Sequence, residues 1–441
     1  MEKFLEVKEF DSIICNKDYI EDEKYKYLSQ KEFDNLVTFI HEFSGNEENA
    51  DVLDFMKIGY KRNLGEVVSI RNYVGLIQMK NGFQIQVLPK ISFGGNDDED
   101  NKETKRVFLE MLKSMKDFPS KIFNDASLKV DRMNLYELFI NMYLQEARQL
   151  VKRGIKSAYV TQEENLRYYK GKLLVGQQIR TNICHKERFY VTVDEFSPNR
   201  PENRIIKATL KKLQKLTISA ENSKEISHLL TAFEMVETST NYQKDFSKVV
   251  IDRNTKGYER LMQWSKVFLM NKSFTTFSGS TVSRALLFSM ESVYESYVAQ
   301  QMKIIMSLGG WDVRSQDKGH YLFTEPRHQF ALRPDIVLEK DGRKVIMDTK
   351  WKSLFDNEKA NYGISQSDMY QMYAYSKKYD AREVWLLYPV NNEMRGHKPI
   401  QFDSISPVND EVETTVRLYF VDVANIKDNL MDLRKILEKV Q

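Results

Sequence analysis

Three residues in the segment ALRPDIVLEKDGRKVIMDTKWK could do chemistry together: Asp335, Asp348 and Lys350. The segment holds two apolar runs separated by Asp341-Gly342, a pair that suits a two-residue hairpin turn because both positions tolerate positive φ. With that turn, opposing positions sum to 683, which sets Asp335 directly across from Asp348. A four-residue loop over residues 340–343 has the same centre and gives the same pair. Opposed residues carry Cβ atoms about 4.5–5.5 Å apart, where two carboxylates repel unless positive charge lies between them. Side chains alternate along a strand, so Lys350 shares the face of Asp348. Hard oxygen ligands without nearby histidine or cysteine suit Mg²⁺, which keeps several waters and uses one or two carboxylates together with a substrate phosphate. The chemistry expected is phosphodiester hydrolysis, in which Lys350 positions the attacking water or helps remove its proton. The competing reading is a surface hairpin whose acids pair with Lys350, Lys344 or Arg343. The apolar setting VIMDTKW favours the metal site, because a buried, unpaired acid or lysine costs roughly several kcal/mol.

Further polar residues cluster downstream and upstream. In SDMYQMYAYSKKY, Asp368, Gln371 and Tyr375 fall on one helical face. The Gln371 amide can both donate and accept, so it suits orienting the lysine, the water or a phosphate, with Tyr375 beside it. In ALLFSMESVYESYV, Glu291 and Glu295 stand one helical turn apart, and either could be an exposed helix acid or a further metal ligand. Near Pro201, Arg204, Lys207, Lys211 and Lys215 recur at helical spacing opposite an apolar stripe of Ile206, Leu210 and Leu213. That basic face is a candidate DNA-binding surface.

The elements that must position these residues are legible as patterns. VVSIRNYVGLIQMK and FQIQVLPKI flank Asn81-Gly82 and read as strands of a hairpin. GGNDDEDNKE, residues 94–103, reads as a solvated acidic loop. A helix is expected from Asn134 to Arg153, stopped by Gly154, and another from Pro201. After a polar boundary near residues 245–256, a helical pattern starts at Tyr258. The C-terminal part then reads as a helix over 285–302, strands over 334–339 and 344–351, a helix over 367–378, a strand over 383–388 and a helix over 426–440. The expected fold is an α/β domain with a mixed, largely buried sheet flanked by helices, preceded by an α+β, β-rich N-terminal region. The expected division is 1–104, 105–250 and 251–441.

Composition bounds the rest. A chain of 441 residues suggests two or three domains. With 41% apolar and 12% aromatic residues it belongs with globular proteins rather than disordered ones. A net charge of +3 neither demands nor excludes nucleic acid. The 2 cysteines, Cys15 and Cys184, lack metal-ligand spacing, and the N-terminal sequence lacks the layout of a secretory signal, so a cytoplasmic setting is expected.

In order along the chain, R-P-D, D-x-K and Q-x-x-x-Y resemble the RecB-like branch of the PD-(D/E)xK nucleases. The wider set YVGLIQMKNGFQIQVLPKI, ENLRYYKGKLL, DEFSPNRPENRIIKATL, MESVYESYV, LRPDIVL, VIMDTKWK and SDMYQMYAY is more closely similar to the McrC family. McrC is the nuclease subunit of the McrBC modification-dependent restriction system. The resemblance implies that Asp335 and Asp348 bind Mg²⁺, that Lys350 is catalytic with Gln371 and Tyr375 in support, and that Glu295 is the helix acid of the metal shell. It implies a restriction endonuclease-like fold and double-stranded DNA, with modified cytosine, as substrate. It also implies an McrB-like ring-forming GTPase as partner, stimulated through the N-terminal region of this chain. No G-x-x-x-x-G-K-[ST] loop occurs in this sequence, so GTP would be bound by the partner. The alternatives are a self-sufficient RecB-like repair nuclease and a non-catalytic activator of a ring NTPase.

Overall fold

The computed structural model describes residues 4–22, 24–44, 56–79, 81–91, 97–115, 118, 135–270, 276–278, 284–406 and 410–439. Residues 94–96 of the expected acidic loop, Asn134 and Val440 lie outside these. The chain forms two compact units: one combines residues 1–122 with 277–441, and the other is residues 123–276.

In the first unit a six-stranded mixed sheet carries the C-terminal elements. They are helix α1 (Met290–Ser307), strands β1 (Asp312–Ser315), β2 (Ile336–Lys340) and β3 (Arg343–Thr349), helix α2 (Gln366–Tyr379), strands β4 (Glu383–Pro389), β5 (Ile400–Ile405) and β6 (Val412–Val421), and helix α3 (Ile426–Lys439). The strand order is β1-β2-β3-β4-β6-β5. The β3–β4 and β4–β6 pairs are parallel, and the outer pairs are antiparallel. The central strands are apolar on both faces because helices cover them. Met372, Tyr375 and Tyr379 of α2 pack with Val337, Ile346, Val384 and Leu386 in one buried cluster.

The N-terminal part of this unit is β-rich, as the sequence indicated, but the run from Val67 to Met79 is two strands. Gly65–Ile70 belongs to a four-stranded sheet and Tyr73–Gln78 to a five-stranded one. Three expectations are corrected here. The helix expected from residue 285 begins at Met290; before it, Arg284–Ser289 is a strand antiparallel to Tyr73–Gln78. A short apolar run such as ALLFS fits either structure, and its pairing partner decided the matter. This strand continues the five-stranded N-terminal sheet with a segment from far along the chain, so the unit is discontinuous and its limits differ from 104 and 250. Last, Asp97 begins a helix, Asp97–Ser114, instead of continuing a loop. Acids in a first helical turn are favoured by the helix dipole.

The second unit contains the expected helices Leu135–Arg153 and Pro201–Gln214, with Pro201 in the first turn and Gly154 at φ 84°. A three-stranded sheet, 158–166, 172–173 and 189–197, lies between them in sequence. Of its strands, 189–197 buries Val191 and Val193 on one face, while 172–173 is too short to carry a period.

Candidate active site

The β2–β3 hairpin has the register read from the sequence: Ile336 opposes Met347 and Lys340 opposes Arg343, so every pair sums to 683. Asp341 at φ 51° and Gly342 at φ 81° make the tight turn, both in the left-handed region such turns require. One step beyond the last paired residues, Asp335 stands opposite Asp348.

The two acids are held differently. Asp335 Oδ2 accepts from the Thr349 amide at 2.7 Å and from Thr349 Oγ1 at 2.6 Å. Asp348 is 2% exposed, and its Oδ2 lies 2.6 Å from Lys350 Nζ. The contact is an ion pair, and this buried oxygen has no other partner among the described residues. Burial, reinforced by the Asp335 charge, pushes Asp348 up to about 7 against the pull of Lys350. Burial also raises Asp335, opposed by its two hydrogen bonds from Thr349. For Lys350 burial works downward, but Asp348, Asp368 and Asp335 outweigh it and hold the ammonium form.

A relay fixes the lysine. Its Nζ donates to Gln371 Oε1 at 3.0 Å, and Gln371 Nε2 donates to the Tyr375 hydroxyl at 2.7 Å. The second bond sets which end of the amide faces Lys350. Asp368, capped at the start of α2 by Ser365, lies 4.0 Å from Lys350 Nζ and accepts from Lys352 Nζ at 2.9 Å. Behind the strand, Trp351 packs on Tyr294 of α1 at 5.2 Å, and its Nε1–H donates to the buried carboxyl of Glu9 at 3.0 Å.

Asp335, Asp348, Lys350, Gln371 and Tyr375 are therefore brought together. Glu295 is close enough for Asp335, after burial, to raise its carboxyl, but its Oε1 accepts from Gln316 Nε2 at 2.8 Å. Among the described residues no three His, Cys, Asp or Glu converge into a metal cage. The expected three-acid shell is thus a two-acid pair with Glu295 beside it, engaged by Gln316. Glu291 is exposed. The donor set still fits a hard divalent cation: two opposed carboxylates, one of them buried with Lys350 as the only partner of its Oδ2 among the described residues, in a field that raises all three acids.

The basic stripe in the second unit is largely engaged within that unit. Arg204 pairs with Asp245 at 2.6 Å, Lys207 Nζ donates to the carbonyls of Glu234 and Val236, and Lys211 Nζ donates to Thr238 Oγ1 at 2.8 Å. Lys215 is exposed at the helix end. The stripe pins the segment from residue 234 to 245 instead of presenting a free cationic row.

Sequence reading missed Thr349, Lys352, Gln316 and Glu9. Lys352 was findable, since it continues the alternation of residues 348 and 350. The other three carried no local signal.

Fold and site define a class: a mixed α/β protein in which a hairpin presents two acids and a lysine to a polar helix face. A model of the McrBC 5-methylcytosine restriction system component family matches residues 68–389, and the chain belongs to that family. Among solved structures, it is similar to a chain of the refined half-complex from the tetradecameric assembly of Thermococcus gammatolerans McrB AAA+ hexamers with bound McrC. That match has TM-score 0.69 and 21% identity and covers 99% of this chain and 100% of that one. A second similarity is to a chain of the cryo-EM structure of the Thermococcus gammatolerans McrBC complex, with TM-score 0.46 and 21% identity over 69% of this chain and 88% of that one. Comparison with curated proteins found no match.

Proposed function

We propose that this chain is the Mg²⁺-dependent DNA endonuclease subunit of a GTP-dependent, modified-cytosine-directed restriction complex, with a restriction endonuclease-like nuclease domain. An McrB-like AAA+ ring is its partner: the similar chain comes from an assembly of McrB hexamers with bound McrC. The observation that carries the catalytic reading is the opposed pair Asp335 and Asp348, with Lys350 held on the same face by Gln371 and Tyr375.

Asp335 and Asp348 would hold the cation, whose chemistry is to polarise the scissile phosphate and acidify a water. Thr349 keeps the Asp335 carboxylate turned into the site with two hydrogen bonds. Lys350, whose ammonium form is favoured by Asp348, Asp368 and Asp335, orients the attacking water and offsets charge developing on the phosphate. Gln371 Oε1 accepts one N–H of that ammonium and Asp348 lies against another, which leaves the third for water or a phosphate oxygen.

The test is Asp348→Ala in the reconstituted complex. Mg²⁺-dependent cleavage of modified DNA should disappear while co-purification with the ring partner and stimulation of its GTPase persist. Cleavage at the wild-type rate would overturn the site assignment.

A further inference from the structure

The second unit contains a cavity of about 590 Å³ lined by segments far apart in sequence: the end of helix Leu135–Arg153 with residues 154–156, and the stretch 253–260. Five cations face it: Arg153, Lys156, Arg253, Lys256 and Arg260. Two acids also line it, Glu146 and Glu259. Glu146 is used by Arg260, at 3.1 Å. For the side chains of Arg153, Lys156, Arg253 and Lys256, no ion pair is found among the described residues.

The walls are fixed by a hydrogen-bonded loop and two buried residues, Thr255 and Tyr258. Asp252 Oδ1 accepts from the Asn254 amide, the Thr255 amide and Thr255 Oγ1 at 2.8, 2.8 and 2.9 Å. That network, with Thr255 2% exposed, fixes the backbone that carries Arg253 and Lys256 and engages the Asp252 carboxylate within the loop. Across the cavity, the Lys156 amide donates to the hydroxyl of buried Tyr258 at 2.8 Å. The Arg153 guanidinium reaches the other wall, 4.0 Å from where a Cβ on Gly257 would stand.

Held at one concavity, these like charges repel one another and focus a positive potential that draws anions. Arg forks and Lys ammoniums are the donors that match phosphate oxygens. The volume falls in the range of about 300–1,000 Å³ typical of small-ligand sites. We infer that this cavity binds phosphate, either of a nucleic-acid backbone or of a free nucleotide. The site is independent of the carboxylate pair and does not rest on the nuclease reading.

The experiment uses the full chain carrying Asp348→Ala, in EDTA, with a fluorescein-labelled DNA duplex of about 20 base pairs and, separately, inorganic tripolyphosphate. The Arg253→Glu/Lys256→Glu double variant, both positions exposed, should lose at least about tenfold in duplex affinity, and its log–log salt slope should fall by about 2, roughly one per lost phosphate contact. Lys224→Glu, a charge reversal on the exposed face of another helix, should change neither. Tripolyphosphate binding that is also lost in the double variant assigns the site to a free nucleotide; duplex binding alone assigns it to a nucleic-acid backbone. Unchanged binding of both probes in a double variant with wild-type circular dichroism would overturn the inference, as would no binding of either by the parent chain; an acidic protein partner would then be the occupant to seek.

Discussion

At the scale of single residues, the site is a lysine whose direction is set by an amide. Gln371→Ala removes the acceptor from Lys350 Nζ and the donor from Tyr375. The outcome expected is a cleavage rate about 10–100-fold lower, the usual cost of losing a group that orients a metal-site residue, with little change in melting temperature because the position is half-buried. Single-turnover kinetics measures it, and an unchanged rate would remove the relay from the mechanism. Glu9 is a second buried group with a measurable signature. Burial raises it to about 8, against its hydrogen bonds from Trp351 and Lys90. Between its ordinary value of 4.5 and about 8 the unfolded chain is ionised while the folded chain keeps the proton. Stability should therefore fall as pH rises through that window and level off above it. Glu9→Gln retains an acceptor for Trp351 without the charge, so its melting temperature should decline less between pH 5 and 8 than that of wild type.

At the scale of elements, the pairing of Tyr73–Gln78 with Arg284–Ser289 joins the N-terminal strands to the C-terminal helix α1. Gly75 makes this possible: at φ 138°, a Cβ there would lie 2.0 Å from the Leu286 carbonyl oxygen. Gly75→Ala combines strain with a backbone clash and should cost at least about 2 kcal/mol. A denaturation midpoint equal to wild type would show that the two strands separate at no cost.

At the scale of the whole molecule, the discontinuous first unit determines how the protein can be cut. A fragment of residues 251–441 keeps every residue of the carboxylate pair but strips Arg284–Ser289 of its neighbour, leaving an open strand edge. It should aggregate or elute as a mixture in size-exclusion chromatography; a monodisperse, cooperatively melting fragment would contradict the architecture. Among the described residues no helix is long and apolar enough to cross a membrane.

The sequence by itself determined what local spacing can carry. The Asp-Gly turn and strand alternation gave the 683 register, so Asp335, Asp348 and Lys350 could be placed on one face before any coordinates. Helical spacing likewise joined Gln371 to Tyr375. Tertiary structure decided whatever depends on partners distant along the chain. It made Ala285–Ser289 a strand, because Tyr73–Gln78 was there to pair with it. It engaged Arg204, Lys207 and Lys211 with the segment from residue 234 to 245, which supplied their acceptors. It set Glu295 on Gln316, and it gathered cations from 153, 156, 253 and 256 around one cavity. Periodicity records which face of an element is buried, but not what buries it.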